Sequence, residues 1–539
     1  MPTAGQVNKG IYYQASQDWP CTINPYRLQV FLEGYEVKHK LELLDGIRYG
    51  FNIHSSLPSR LGCGYTNHKS ALEDSSKVTA KLMKELELKR IAGPFDVPPP
   101  GLITSPLASV PKKDSQEIRL IHDLSFPSGN SVNEFIPREH CHVVYELIDD
   151  CIDIICELGQ GCLIAKADIK NAFRILPIHP DCYKLLGFQW LDKYWFDKCM
   201  VMGCSSSCQT FEKLSNALQW ILINKFNVRF MSHILDDFMF FGKAGSSQTK
   251  NGLNSFLQLC SSVGIQVKQE KTVLPSTVIE LHGLLVDTVN MEIKLPQDKL
   301  SKALNLVSTM YKKKSVTLKE LQSLIGLLNF CNKVVSPGRT FLRRLIDLTK
   351  GVTLPSHHIR LNNEARADLA CWKQFLHNFN GVKLIKKLPW ITSRSVKLFS
   401  DASFKACAAV YGNQWFQIKF PESWQNIHIA AKELLPVMLA FKFWAQQLKG
   451  VNVIFLVDNL AIVQVLNSKT AKDVLIMKML RQMVVVSMVN NIEFSSKHIF
   501  GKVNIIPDLI SRLQEDKALK IAPHLQRSPV DIPREWLPW

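Results

Sequence analysis

The sequence has little of what marks several large protein classes. None of its 14 cysteines forms a C-x-x-C pair, and Cys199, Cys204 and Cys208, the tightest cluster, have no nearby His or fourth Cys. That excludes the usual zinc spacings and leaves buried free thiols as the expected state. The long apolar stretch Val474–Val489 is interrupted by Lys478 and Arg481, so no membrane span and no membrane partner are expected. Met1–Gly10 is polar and lacks a signal-peptide pattern. The expected location is therefore intracellular, in cytoplasm and/or nucleus, and not secreted. Glycine and proline, 26 of each, are scattered, and neither repeats nor coiled-coil heptads are apparent. Collagen-like, low-complexity and fibrous assembly classes are out.

What is present is an ordinary globular composition, 46% hydrophobic and 21% charged, over 539 residues. At about 150 residues per domain, that length suggests three to four domains. Lys plus Arg is 65 against 47 Asp plus Glu, a net charge of +18. Such an excess suits a polyanionic partner, and nucleic acid is the obvious one. A basic surface with no dedicated partner stays open on charge alone.

Along the chain, Tyr26–Arg48 has a helical look, and Gly93–Gly101 is too rich in proline for a helix or central strand. Strand-like and helical runs alternate to about Asp287. Lys299–Lys350 reads as helices with a break at Pro337-Gly338, and Ser356–Lys387 as a basic connector. Beyond it, Val396–Ser400, Ala406–Tyr411 and Trp415–Phe420 read as strands and Ile427–Leu448 as a helix interrupted by Pro436. Strand Val451–Val457, helices from Ala461 and Asp473, strand Ile492–His498 and helix Pro507–Leu513 complete a mixed α/β plan.

Two groups of acids stand out. Gly161–Asp168 is an apolar strand ending on a carboxylate, and Val228–Phe241 is a hairpin pattern with Asp236 and Asp237 at its turn. An Asp-Asp pair is also a favoured polar turn. In an apolar setting, however, adjacent carboxylates repel and call for a divalent cation, with Mg²⁺ the natural choice. With Asp168 beside the hairpin, the three could hold two ions about 3.5–4 Å apart for phosphoryl transfer.

At this point the sequence resembles reverse transcriptases. Ala167-Asp168-Ile-Lys-Asn-Ala172-Phe173 is similar to motif A of that family, and Leu235-Asp236-Asp237 to motif C. Met202-Gly203 through Phe211 is similar to motif B, and Val110–Asp114 with Ile118–Leu124 to the fingers segments that meet the triphosphate. Gly264–Lys271 and Leu281–Leu284 are similar to motif D and the primer grip. The resemblance implies Asp168, Asp236 and Asp237 as metal ligands. It implies Lys112, Lys113 and Arg119 as phosphate donors and Gly203 as part of the templating loop. It further implies Phe173 as a gate beneath the sugar, favouring dNTPs. Ile234, where many members have Tyr, and the opening Val201-Met202-Gly203 depart from the common pattern without touching a metal ligand.

The second group is Asp401 at a strand end, Glu433 in the following helix, Asp458 at the next long strand's end and Asp508 opening the last helix. Singly they read as a turn residue, a solvated helix face, a cap and a first-turn dipole partner. As a set in this order they resemble the Asp-Glu-Asp-Asp site of ribonuclease H, again implying two-metal hydrolysis. His498 and Asn504 match the loop before the last acid, where such a residue assists hydrolysis.

Polymerase followed by ribonuclease H is the order of retroelement polyproteins, and the sequence resembles DIRS-like retrotransposons, which integrate with a tyrosine recombinase. The resemblance runs from about Asn24 to about Arg512. It rests on Arg90–Phe95, Leu124–Asn133, Met202–Cys208, His233–Phe238 and Pro337–Asp347. Within that group Ile234 and the Met-Gly-Cys opening are usual. No Asp-Ser/Thr-Gly protease motif, zinc knuckle or recombinase domain occurs, and His357-His-Ile-Arg360 matches a recombinase fragment by spelling alone.

The implied fold is multidomain α/β (α+β): a right-hand polymerase with fingers, palm and thumb, then a ribonuclease H-like mixed α/β domain. The expected divisions are 1–64 as an N-terminal extension, 65–294 fingers and palm, 295–350 thumb-like helices, 351–394 connector, 395–515 ribonuclease H-like and 516–539 tail. Two Mg²⁺ per active site are expected, Mn²⁺ being a substitute. The implied partners are RNA template, DNA primer, RNA/DNA hybrid and dNTPs, with a separately encoded recombinase. A domesticated or degenerate copy that binds nucleic acid without catalysis is the alternative, against which the seven intact acids argue.

Overall fold

The computed structural model describes residues 11–12, 14–15, 17–56, 65–112, 116–378, 383–384, 390–393, 395–490, 492–501 and 504–539. Lys113 lies outside them. The chain forms two compact units, Met1–His282 with Asp287–Asn290, and Gly283–Val286 with Met291–Trp539.

In the first unit, α1 (Pro25–Phe31) is capped by the Asn24 side chain, which accepts from Arg27 N, and has Pro25 in its first turn. It is separate from α2 (Val37–Tyr49), because the chain turns between them at Gly34, φ 91°. Leu28, Leu32, Leu43, Leu44 and Ile47 are buried in the same core as the strands that follow. The segment expected as an extension thus completes that core. Next come α3 (Ser75–Glu87), the hairpin β2 (Leu107–Pro111) and β3 (Ile118–His122), and a sheet of β1 (Ile91–Phe95), β5 (Gly187–Trp190) and β6 (Lys193–Asp197) in which β1 is an edge strand. That edge place is where a proline-containing strand belongs.

The sheet that positions the first acids is antiparallel, in the order β7-β8-β4-β9. Its strands are β4 (Leu163–Asp168), β7 (Met231–Ile234), β8 (Asp237–Gly242) and β9 (Val273–Ser276). Ile164, Ala165 and Ala167 of β4 and Phe238–Phe241 of β8 are buried. Both central strands therefore read as near-continuous apolar runs, β4 ending on an acid and β8 beginning on one. α4 (Ser207–Phe226) and α5 (Gln248–Val263) supply Phe211, Leu214, Leu218, Leu253 and Phe256 to the core beneath.

The second unit begins with α6 (Gln297–Lys312) and α7 (Leu318–Cys331), the latter opened by a capping box between Thr317 and Glu320. α8 (Asn363–Asn378) lies in the stretch expected as connector. One sheet is parallel: β10 (Trp390–Thr392), β14 (Asn452–Val457) and β15 (Glu493–His498), with β14 central. The other is an antiparallel meander of β11 (Leu398–Ala402), β12 (Ala406–Tyr411) and β13 (Gln414–Lys419). α9 (Ile429–Phe443) runs through Pro436 and ends earlier than its sequence pattern suggests. α10 (Leu460–Ser468), α11 (Val474–Val489), α12 (Ile505–Ser511) and α13 (Glu515–Ile521) follow. The C-terminal stretch is strapped to the meander. Ala518, Ala522 and Leu525 pack on Val410 and Trp415, and Trp415 Nε1 donates to Gln526 O at 2.8 Å. No helix among the described residues is long and apolar enough to cross a membrane.

Candidate functional site

In the first unit Asp168 and Asp237 are direct cross-strand partners at one end of the β4–β8 ladder. Asp236 occupies the turn before β8, and its carbonyl accepts from Ile169 N at 2.9 Å. Leu235, just before it, has φ 51°. That backbone is gripped at both ends: Leu235 N lies 3.3 Å from Glu212 Oε2, and its carbonyl accepts from Ser215 Oγ at 2.8 Å. Glu212 also faces the buried His233 at 3.2 Å. The three carboxylates are thus gathered at one end of the sheet.

Their charge is balanced by lysines. Lys166 Nζ is 2.7 Å from Asp237 Oδ2, Lys271 Nζ is 3.0 Å from Asp168 Oδ2, and Lys268 pairs with Asp168. Lys268 also stands 4.0 Å from Asp236. Burial, and then Asp168, push Asp236 up to about 6. Burial raises Asp237 despite Lys166. Asp237 Oδ1 is buried with no hydrogen-bond partner.

A cleft of about 300 Å³ in the same unit is lined by Lys112, Arg119, Phe173, Met202, Asp236, Lys268 and Lys271, among others. Two of the three expected phosphate donors, Lys112 and Arg119, therefore share one wall system with the expected gate and one acid. Phe173 stands edge-on to Phe211, ring centroids 5.6 Å apart. Lys112 is paired with Glu117. Gly203 lies beside the cleft and does backbone work: its φ is 121°, and a Cβ there would fall 2.0 Å from His122 O. Asn133 pins this loop, donating to Gly203 O at 2.7 Å and accepting from Ser205 N at 2.9 Å.

The second group also converges, within the second unit. Asp401 Oδ2 accepts from Ser511 Oγ at 2.6 Å, and burial followed by the charges of Asp508 and Asp458 lifts its value to about 6. Burial, with Asp401, Asp458 and Asp508 adding to it, takes Glu433 to about 8. Arg512 Nε lies 2.8 Å from Asp508 Oδ1. A side chain at Gly501 would place Cβ 3.2 Å from Asp458 Oδ2, so glycine leaves that oxygen open. His498 Nε2 is 3.2 Å from the Asp458 carbonyl. Asn504 is buried and donates to Ser400 O at 2.6 Å, tying its loop to the Asp401 strand.

Among the described residues no three His, Cys, Asp or Glu side chains close into a group that could hold a metal ion as it stands. The donor chemistry nonetheless fits a hard divalent cation at both places. Hard carboxylate oxygens face one another, Asp237 Oδ1 lacks a partner, and Glu433 is lifted by burial and then by its acidic neighbours. Sequence reasoning missed Glu212, Ser215, Asn133 and the Arg174 ion-pair network on the cleft wall. No local signal marks them, since their partners are remote in sequence.

Residues 110–318 match the family model described as reverse transcriptase (RNA-dependent DNA polymerase). Over those residues the mixed α/β architecture fits a right-hand polymerase fold. Among curated relatives, the genome polyprotein of Petunia vein clearing virus (isolate Shepherd) is 23% identical over 70% of this chain and 16% of its own length. The Gag-Pro-Pol polyprotein of Mason-Pfizer monkey virus is 24% identical over 41% of this chain and 12% of its own. The chain thus spans about a sixth or less of the length of these relatives. A solved structure of the foamy viral protease-reverse transcriptase dRH with dsDNA aligns at TM-score 0.48 and 16% identity, covering 92% of this chain and 82% of that one.

Proposed function

We propose that the protein is an RNA-directed DNA polymerase with a linked ribonuclease H, acting in the replication of a DIRS-like retrotransposon. The observation that carries the polymerase reading is a cleft holding Lys112, Arg119 and Phe173 together with Asp236, beside the Asp168–Asp237 pair. The family match over residues 110–318 supports the same reading.

Asp168, Asp236 and Asp237 would hold Mg²⁺ at the polymerase site, and Asp401, Glu433, Asp458 and Asp508 at the nuclease site. Bound there, the ion supplies activation of the attacking oxygen and neutralisation of charge on the leaving group. Lys112 and Arg119 orient the triphosphate, Arg119 through its planar fork. Phe173 closes the space beneath the sugar, and the Asn133-pinned loop at Gly203 backs the templating pair. At the second site His498 would handle a proton near Asp458, and Asn504 would fix the Asp401 strand. Catalysis is then mainly positioning and electrostatics. RNA template, DNA primer, hybrid and dNTPs are the proposed partners, with the recombinase as a separate protein of the same element.

The test is primer extension on an RNA template with dNTPs and Mg²⁺, with the RNA strand labelled. Extension together with RNA degradation is expected. Salt-sensitive binding by a folded sample that performs neither reaction would remove the catalytic reading.

A further inference from the structure

The turn that carries Phe173 is strained and externally braced. Asn171 and Ala172 both have positive φ, 65° and 33°. L side chains adopt such backbone rarely, and it persists where surrounding contacts over-determine it. The bracing residue is Arg174. Its Nε donates to Glu85 Oε2 at 2.9 Å, and its Nη1 lies 2.7 Å from Asp197 Oδ1. The same Nη1 is 3.3 Å from the carbonyls of Cys199 and Met200. Asp197 is held in turn by His122 Nδ1 at 3.0 Å, and Arg90 stands 3.8 Å from Glu85. Burial alone would lower the Arg174 pKa, but Asp197 and Glu85 more than reverse that and raise it. Arg174, Glu85, Asp197 and His122 line the same cleft as Phe173.

The brace therefore joins α3 (Glu85), β3 (His122) and the end of the β6 strand Lys193–Asp197 to the residue directly after the gate. A planar guanidinium can serve acceptors on several sides at once, which a lysine ammonium on a flexible stem does not reproduce. Resting on the polymerase reading above, we propose that Arg174 is a positioning residue for sugar selection: anchored by Glu85 and Asp197, it holds the strained turn and so keeps Phe173 where a 2′-hydroxyl is refused. The gate is then a braced unit whose selectivity depends on a residue that need not touch the nucleotide sugar.

Single-nucleotide incorporation of a dNTP and the matching rNTP on one primer–template, with wild type, Arg174→Lys and Asp197→Asn, tests this. The ratio of kcat/KM for dNTP over rNTP is expected to fall about tenfold in Arg174→Lys. It should fall in the same direction in Asp197→Asn, which keeps volume and an acceptor but weakens the anchor. Primer–template affinity should stay within about twofold for both, since no phosphate-binding group is lost. Loss of both incorporation rates in equal measure, with the ratio unchanged, would show a purely structural role and overturn the inference. Should Arg174→Lys fail to fold by thermal melting, the ratio in Asp197→Asn decides alone. Wild type that extends no primer would remove the polymerase reading and this inference with it. Extension with an unchanged ratio in the variants removes the inference alone.

Discussion

Opposed demands meet at single side chains at both candidate sites, and they set measurable expectations. Phe173 packs edge-on to Phe211 while lining the cleft, so it is both a core contact and the candidate gate. Phe173→Ala should raise rNTP incorporation relative to dNTP by at least about tenfold. It should also cost about 3 kcal/mol of stability through the lost ring. Paired rNTP and dNTP kinetics with a thermal melt check both, and an unchanged ratio would remove the gate assignment. Glu433 carries the pH prediction. Its pKa in the folded chain, about 8, lies above its ordinary 4.5. The linked stability is therefore fully present below about pH 4.5 and is lost as pH rises through about 8. In chelator, wild type should lose melting temperature from pH 6 to 9 more steeply than Glu433→Gln, and added Mg²⁺ should flatten the wild-type curve. Parallel curves for the two proteins would contradict the crowding of these acids.

At the level of elements, the strand-end acids were readable because their logic is local. β4, β8, β11 and β14 are apolar runs with a carboxylate at or beside one end, and alternation or run length shows them directly. The observed strand Ala406–Tyr411 has the bounds its pattern suggests, and helix Val474–Val489 starts after Asp473, whose side chain caps it. The braces were not readable. Arg174 meets Glu85 across 89 residues, and Glu212 meets Leu235 across 23. Such pairs exist only once α3 and α4 have packed. The loop at Gly203 lies between these cases, since glycine signals a need without naming the neighbour. That neighbour is His122 O, and the φ of 121° forbids relief by a small shift. Gly203→Ala should cost about 1–3 kcal/mol in backbone strain alone, with the clash added to it. Extension should drop more than primer–template affinity, because the loop lies beside the cleft while phosphate contacts remain. Affinity falling in step with activity would instead mean that the whole unit has unfolded.

Over the whole molecule, the two acidic groups lie in different compact units, and each has its own core and its own electrostatic balance. Lysines 166, 268 and 271 face the first group, whereas Arg512 pairs with one acid of the second. The first is thus partly neutralised by the chain itself, although burial and Asp168 still raise Asp236. The second leaves Glu433 and Asp401 raised by burial and by the neighbouring acids. Two consequences follow for function. The sites should be separable: Asp236→Asn should abolish extension, a loss of at least about 10³-fold for a metal-holding carboxylate, while leaving RNA cleavage of a preformed hybrid within about twofold. Asp458→Asn should do the reverse. The sites should also differ in their dependence on free Mg²⁺, since a cation arriving at the first must displace ammonium groups from Asp168. At the second it relieves repulsion. Cleavage should therefore saturate at lower Mg²⁺ than extension when both are titrated in one buffer. Loss of both activities in either single variant, or coincident Mg²⁺ curves, would argue that the two groups serve one centre.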